Sequence, residues 1–258
     1  MRSALIQGVV LLLFVGVAFR WPRVDEPFWS RATWVNLATG MSLFVSKSLF
    51  LWGIGTLETP RLIPLTGLEM PLLQFLLVFL LSDLARYALH RAHHQVPWLW
   101  QFHRVHHSSV QLNATSGLRM HGVDFVQLSL LPALLFGLLL DTRGFSPGVW
   151  VALGAVVAVM DGFSHANLRY ERARPLARAW SLLFNDPVFH AWHHTADESR
   201  YHCNYGQVLT VWDRLFGTAV LDDLPPETMG LPPHEQLQED VLGLQLLRPA
   251  TSSPPAAG

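Results

Sequence analysis

The chain has 258 residues, half of them hydrophobic and only 14% Asp, Glu, Lys or Arg, with a net charge of −1. Soluble domains carry roughly 25% charged residues, so this deficit argues for lipid contact, and the near-neutral balance leaves no electrostatic case for nucleic acid as a partner. A single cysteine, Cys203, excludes an internal disulfide and any all-cysteine metal or iron–sulfur site.

Five apolar stretches follow in chain order, at residues 4–19, 34–54, 70–89, 125–140 and 145–160. A membrane span takes about 20 apolar residues, or roughly 17 with thinning or snorkelling, so the last two must borrow from their flanks. Only Asp141-Thr142-Arg143-Gly144 separates them, and they read as a hairpin. Core helices of a soluble protein are the alternative, disfavoured because runs of this length rarely recur in soluble folds. The first stretch could also be a secretory signal cleaved near Gly16-Val17-Ala18. Arg20, Arg23 and Arg31 beyond it, against Arg2 before it, favour a retained helix.

By the positive-inside rule those arginines place the first loop in the cytoplasm. Alternating spans then put loops 55–69 and 141–144 outside, and residues 90–121 and everything from His165 inside. Lys47 interrupts the second stretch, and nothing in the sequence accounts for it. The expected fold is all-α: a multi-pass integral membrane helical bundle with a cytosolic histidine-rich cap, in a bacterial inner membrane. Its expected divisions are membrane helices at 1–69, a histidine-bearing domain at 70–221 with a membrane hairpin at 123–163, and a proline-rich segment and tail at 222–258.

Twelve of the 13 histidines lie in two windows, 90–121 and 165–202, both predicted on one membrane face. In the first, Asp83, Tyr87, His90 and His94 are spaced by four, three and four, so they form one helix stripe on which two imidazoles face a single centre. Pro97 suits the first turn of a new helix, which carries His103, His106 and His107 as H-x-x-H-H. In the second window Asn185-Asp186-Pro187 reads as a helix start with Asp186 as N-cap, followed by His190, His193 and His194 in the same pattern. His165 adds one more imidazole at that depth. Nine candidate ligands exceed what one tetrahedral zinc accepts and suit two metals of higher coordination. Imidazole binds iron, zinc and copper alike, so spacing does not name the metal. Zinc-peptidase chemistry is disfavoured by the lack of H-E-x-x-H, and a haem protein would need only one or two axial histidines. His121 stays open between ligand, donor behind the ligands and headgroup contact; His202 reads as a surface residue, and His93 and His234 as structural or solvated.

The run Asp83, Tyr87, His90-Arg91, His94, Pro97-Trp98-Leu99-Trp100 and Phe102-His103-Arg104-Val105-His106-His107-Ser108 resembles the fatty acid hydroxylase/sterol desaturase superfamily. So do His190-Ala191-Trp192-His193-His194, Asn204-Tyr205-Gly206 and the stretch from Trp212 to Thr218, and the resemblance covers about residues 70–248. It implies an all-α membrane fold whose cytosolic cap holds a histidine-bound di-metal centre, taken as two iron ions. His90, His94, His103, His106, His107, His165, His190, His193 and His194 match the ligand positions. It further implies O2 and an external electron source acting on a lipid, by hydroxylation or desaturation. Asp83, Asn167, Asp186 and Asp197 are the expected acceptors of the second imidazole N–H groups.

Trp98, Trp100, Phe163 and Trp192 could line a lipid route or serve as interfacial anchors. The sequence shows no dinucleotide, flavin or iron–sulfur motif, so a separate electron-transfer protein is expected. Arg172, Arg174 and Arg178 could dock it, or could satisfy topology and bind anionic lipid. Residues 222–233 read as a connector, 235–247 as a short amphipathic helix through Leu237, Val241, Leu244 and Leu247, and 249–258 as a disordered tail. A membrane metal-binding or metal-transport protein is the competing function. It would place ionisable residues near the midplane of several spans, where Lys47 stands alone.

Overall fold

The computed structural model describes residues 2–25, 27–55 and 61–250, and the chain is mostly helical. The helices are α1 Arg2–Arg20, α2 Arg31–Gly55, α3 Pro71–Gln95, α4 Pro97–His107, α5 Gly122–Leu134, α6 Pro147–His165, α7 Pro175–Ser181, α8 Pro187–His193, α9 Val211–Leu215 and α10 Val241–Gln245. Every apolar stretch falls in or across one of them, α5 continuing into a π-helical turn at Leu135–Leu139. The side chain of Lys47 and the tail from residue 251 lie outside the described residues.

Proline opens five of these helices, at Pro71, Pro97, Pro147, Pro175 and Pro187. Its missing N–H is one that the first helical turn leaves unbonded anyway. Val96, placed before Pro97, is held extended at φ −101° and ψ 112°, as the proline ring requires of its predecessor. That one residue ends α3 and swings the chain into α4.

Among the described residues, α3 and α6 are long and apolar enough to cross a membrane. Helix α1 has 19 residues and α2 has 25, each carrying an apolar stretch of the sequence, while α5 has 13 before its π-helical turn. Large apolar side chains nevertheless point outward along the helices, with Leu12 at 72%, Met41 at 70% and Leu72 at 65% exposure.

The starts of α3 and α6 lie side by side. Gln74 accepts from Ser146 N–H at 3.0 Å, and Val78 packs with Phe145 and Val149. A two-residue parallel pairing, β1 Ile63–Pro64 with β2 Leu140–Asp141, closes that end, where Asp141 takes both Arg61 and Arg143. Since α3 and α6 run the same way, their far ends both deliver histidines to one place. There α4, α8, α9 and α10 form a cap whose apolar cluster joins Val35, Val105, Leu231, Leu237 and Leu244. Arg119, fully buried, ties it to α2 by donating to Asn36 at 2.6 Å, Ser108 at 3.1 Å and Glu239 at 3.2 Å.

The expected helix at 235–247 is shorter than its apolar spacing suggested. Asp240 caps α10, accepting from Gly243 N–H, and Leu247 at φ 52° ends it, while Leu237 is extended and bridges Pro249. Residues 229–250 pack on the cap: Thr195 bridges Met229, and Gly230 N–H donates to His194 O.

Candidate metal centre

The nine histidines gather into two adjoining buried groups. His90, His94, His103, His107 and His193 form one, and His106, His165, His190 and His194 the other, with the ligand atoms of each group within 4.8 Å of one another. The groups touch: His107 stacks on His194 at 4.4 Å between ring centroids, and His193 lies 5.3 Å from His194.

Helix geometry explains the division. Successive residues turn by about 100°, so positions i and i+4 point nearly together while i+3 points well to one side. In α4 the pair His103 and His107 enters the first group and His106 the second. In α8 the sense is reversed, with His190 and His194 in the second group and His193 in the first. Each H-x-x-H-H thus feeds both groups. The short helix α8 is held in place by Asp186, which accepts from the N–H groups of Val188 and Phe189 at 2.8 and 2.9 Å.

Hydrogen bonding fixes which ring nitrogen faces the centre. His90 Nδ1 donates to Tyr205 O at 2.8 Å, His193 Nδ1 to Cys203 O at 2.8 Å, His106 Nδ1 to Arg119 O at 3.2 Å and His165 Nδ1 to Asp161 O at 2.9 Å. His103 Nδ1 donates to the Asp124 carboxylate at 3.1 Å. A neutral imidazole carries one N–H, so each of these rings presents a bare Nε2 inward. Those lone pairs confront one another: His90 and His103 Nε2 are 3.0 Å apart, and His165 Nε2 is 3.4 Å from His106. His190 Nε2 lies 2.9 Å from His165 and 3.1 Å from His194. The bare pairs His90–His103 and His106–His165 repel at such distances unless a positive ion lies among them. His193 Nε2 and the nitrogens of His94 are buried without a partner, as His193 and one nitrogen of His94 would be if they held a cation. The residues present therefore fit a histidine-bound metal pair.

Burial, reinforced by the neighbouring imidazoles, holds His106, His107, His190 and His194 well below the ordinary histidine value. Burial lowers His193 to about 3, against the pull of its bond to Cys203 O. All five are neutral at pH 7, the protonation state a metal needs.

The acceptors behind the rings are not the ones expected from sequence. Asp83 accepts from Val208 N–H, Leu209 N–H and Trp212 Nε1–H, clamping the loop before α9 onto α3. Asp186 caps α8 and pairs with buried Arg172 at 3.1 Å, which also removes that arginine from any docking surface. Asn167 binds both backbone groups of Val24, and exposed Asp197 accepts from Ser199. Backbone carbonyls fill the role instead, because loops rather than side chains press against the rings. A carbonyl carries no residue-type signal, which is why the sequence conceals it. Asp124 and Asp161 are the carboxylates it missed. Asp124, fully buried, also lies 3.3 Å from His93 Nε2, and Asp161 Oδ1 is 3.4 Å from His165 Nδ1.

His121 stands outside both groups: Nε2 donates to Gln245 O at 2.9 Å and Nδ1 accepts from Val123 N–H at 3.0 Å. His93 is buried, donating to Leu89 O. His202 is exposed and stacks on Tyr201, its centroid 5.6 Å from His94. Of the aromatics considered for a lipid route, Trp100 lies against the centre, 4.9 Å from His94. Trp98 is 59% exposed, Phe163 packs on Phe14, and Trp192 lies under Arg200.

Tight turns complete the wall. Asn204 adopts φ 55°, and Asp213 gathers the Tyr205 and Gly206 N–H groups at 2.8 and 2.7 Å. A Cβ on Gly206 would collide with Leu209 O, so only glycine fits there.

A family model described as fatty acid hydroxylase matches residues 75–218. Among curated proteins, the chain is 32% identical over 148 residues to an ornithine lipid hydroxylase of Rhizobium tropici, covering 56% of this chain and 41% of that protein. It is 27% identical over 147 residues to an alkylglycerol monooxygenase of Caenorhabditis elegans, covering 56% of this chain and 27% of the other. Against a cholesterol 25-hydroxylase of Homo sapiens it is 27% identical over 176 residues, covering 65% and 60%. The chain thus spans less than two thirds of each of these relatives. No solved structure matches significantly.

Proposed function

The chain belongs to the fatty acid hydroxylase family, and from that premise we propose that it hydroxylates a bilayer lipid, using two iron ions, molecular oxygen and an external electron donor. The observation that carries this reading is the facing of bare Nε2 atoms in both adjoining groups, His90 to His103 at 3.0 Å in one and His106 to His165 at 3.4 Å in the other. His90, His94, His103, His107 and His193 would hold one ion, and His106, His165, His190 and His194 the other. An iron pair supplies reductive activation of O2 toward an unactivated C–H bond.

The chain's own residues set the conditions for that chemistry. Desolvation keeps His106, His107, His190, His193 and His194 neutral, so none of these has to lose a proton before a metal enters. Asp124 and the carbonyls of Tyr205, Cys203, Arg119 and Asp161 orient the rings, and burial of all nine excludes bulk water. On this proposal α3 and α6 span the bilayer within a multi-pass bundle, and the centre lies at its cytoplasmic rim, within reach of a lipid that never leaves the membrane. The division into 1–69, 70–221 and 222–258 and the bacterial inner membrane belong to the same proposal.

Three relatives of different organisms carry lipid names and are called hydroxylase or monooxygenase, which favours hydroxylation over desaturation. Inserting one atom of O2 into a C–H bond and releasing the other as water consumes two electrons and two protons, and a separate electron-transfer protein would supply those electrons. The test compares lipid extracts of cells expressing the chain with those expressing His193→Ala. A lipid heavier by one oxygen, present only with the unaltered chain, supports the proposal. A lipid lighter by two hydrogens would replace hydroxylation with desaturation. Identical extracts, or a purified chain holding one tight zinc instead of about two irons, would overturn it.

A further inference from the structure

Two short helices outside the candidate spans turn apolar side chains outward. In α7, Leu176 is 88% and Trp180 40% exposed, and Leu183 just past its end is 54% exposed. These positions, i, i+4 and i+7, share one helical face. In α9, Val211 and Leu215 repeat the four-residue step and Phe216 follows, with Leu215 67% exposed.

The two helices are joined into one platform. Thr210 N–H donates to Leu183 O at 2.9 Å, Phe184 and Leu209 form an antiparallel bridge, and the Arg214 guanidinium donates to Ser181 O at 3.0 Å. The platform rests on the histidine ends of both candidate spans. Phe216 stacks on Tyr87 of α3 at 5.4 Å, and Trp180 meets Phe163 of α6 edge-on at 6.1 Å. Asp83 clamps the start of α9 to α3. Arg174, Arg178 and Arg214 are exposed around it.

A platform of large apolar side chains, continuous with two apolar helices and edged by arginines, matches a leaflet with anionic headgroups. Trp21, Trp29 and Trp34, exposed where α1 passes to α2, mark the same boundary, because indole favours the water–lipid interface. We propose that the α7–α9 platform is a monotopic seat that sinks into the cytoplasmic leaflet and holds the histidine cap against the lipid surface. This rests on the membrane reading above and adds to it a second contact with the bilayer that no span supplies.

Cysteine labelling of the full chain tests it, because the native Cys203 is buried and its thiol is pushed up to about 12 by that burial. A polarity-sensitive dye is placed by Leu176→Cys and Leu215→Cys on the platform, by Leu80→Cys on the outward face of α3, and by Glu198→Cys on the cap. Each protein is reconstituted in vesicles of phosphatidylcholine and phosphatidylglycerol carrying nitroxide lipids, labelled either near the headgroup or deep in the chain. Dyes at 176 and 215 are expected to be quenched several-fold more than at 198, and best by the shallow nitroxide, with the dye at 80 quenched best by the deep one. Quenching at 80 but not at 176 and 215 overturns the seat alone, whether those dyes report water or a nonpolar site covered by protein. Absence of quenching at 80 overturns the membrane reading with it. Iron per chain, measured on the same samples, reads the metal proposal independently.

Discussion

Asp124 lies 3.1 Å from His103 Nδ1 and 3.3 Å from His93 Nε2, with none of its side chain exposed. A carboxylate in that position fixes the tautomer and angle of a ligand ring and raises its basicity. Asp124→Asn keeps the shape and removes the charge, and is expected to weaken iron binding about 10–100-fold with helical content unchanged; metal titration beside circular dichroism checks both halves. The histidines separate by the same logic. His193→Ala removes an inward Nε2 and should leave the chain short of its full iron complement. His121→Ala should retain that complement, since its ring serves Gln245 and Val123. Elemental analysis of the two variants side by side decides. Residue spacing in the sequence singled out eight of the nine converging imidazoles, because a helix converts i, i+3 and i+4 directly into direction, and His165 was added by its place just past the fifth apolar stretch. Asp124 stayed hidden because an acid in the first turn of a helix reads equally well as a partner of the helix dipole.

At the scale of the element, α8 has only seven residues and could not persist alone. Its anchor is Asp186, which caps the first turn and neutralises Arg172 where both are almost wholly buried. Asp186→Ala is expected to destabilise the cap by about 3–5 kcal/mol, chiefly by stranding a buried guanidinium, with the lost cap adding about 1 kcal/mol. A second change, Arg172→Met, should recover part of that loss, and thermal melts of the single and double variants measure it. The start of α8 was legible in Asn185-Asp186-Pro187, and that of α4 in Pro97. The last helix was not, because the four-three-three spacing of Leu237, Val241, Leu244 and Leu247 is satisfied by an extended residue followed by one helical turn as readily as by three turns. Leu237 and Leu244 reach the same apolar cluster either way.

For the whole molecule, the two groups draw on four helices whose histidines run from His90 to His194, so a bound metal pair would tie them together. A ligand held only by the folded state at about 1,000 times its dissociation constant adds about 4 kcal/mol, which for a chain of this size shifts the melting temperature by roughly 10 °C. Chelation should lower the melting temperature of the purified protein by that order and ferrous iron restore it; an unchanged melt would mean that the groups bind no structural metal. By itself the sequence determined the helical class, the positions of the apolar stretches and the identity of the converging histidines. Each of these is a short-range periodic property that the backbone geometry of one helix turns into a face. Only the tertiary structure decided how the histidines divide between two groups, which oxygens hold His90, His103, His106, His165 and His193, and that α7 and α9 present an apolar platform. Those facts depend on which distant loops press together, and on carbonyl groups that every residue carries alike.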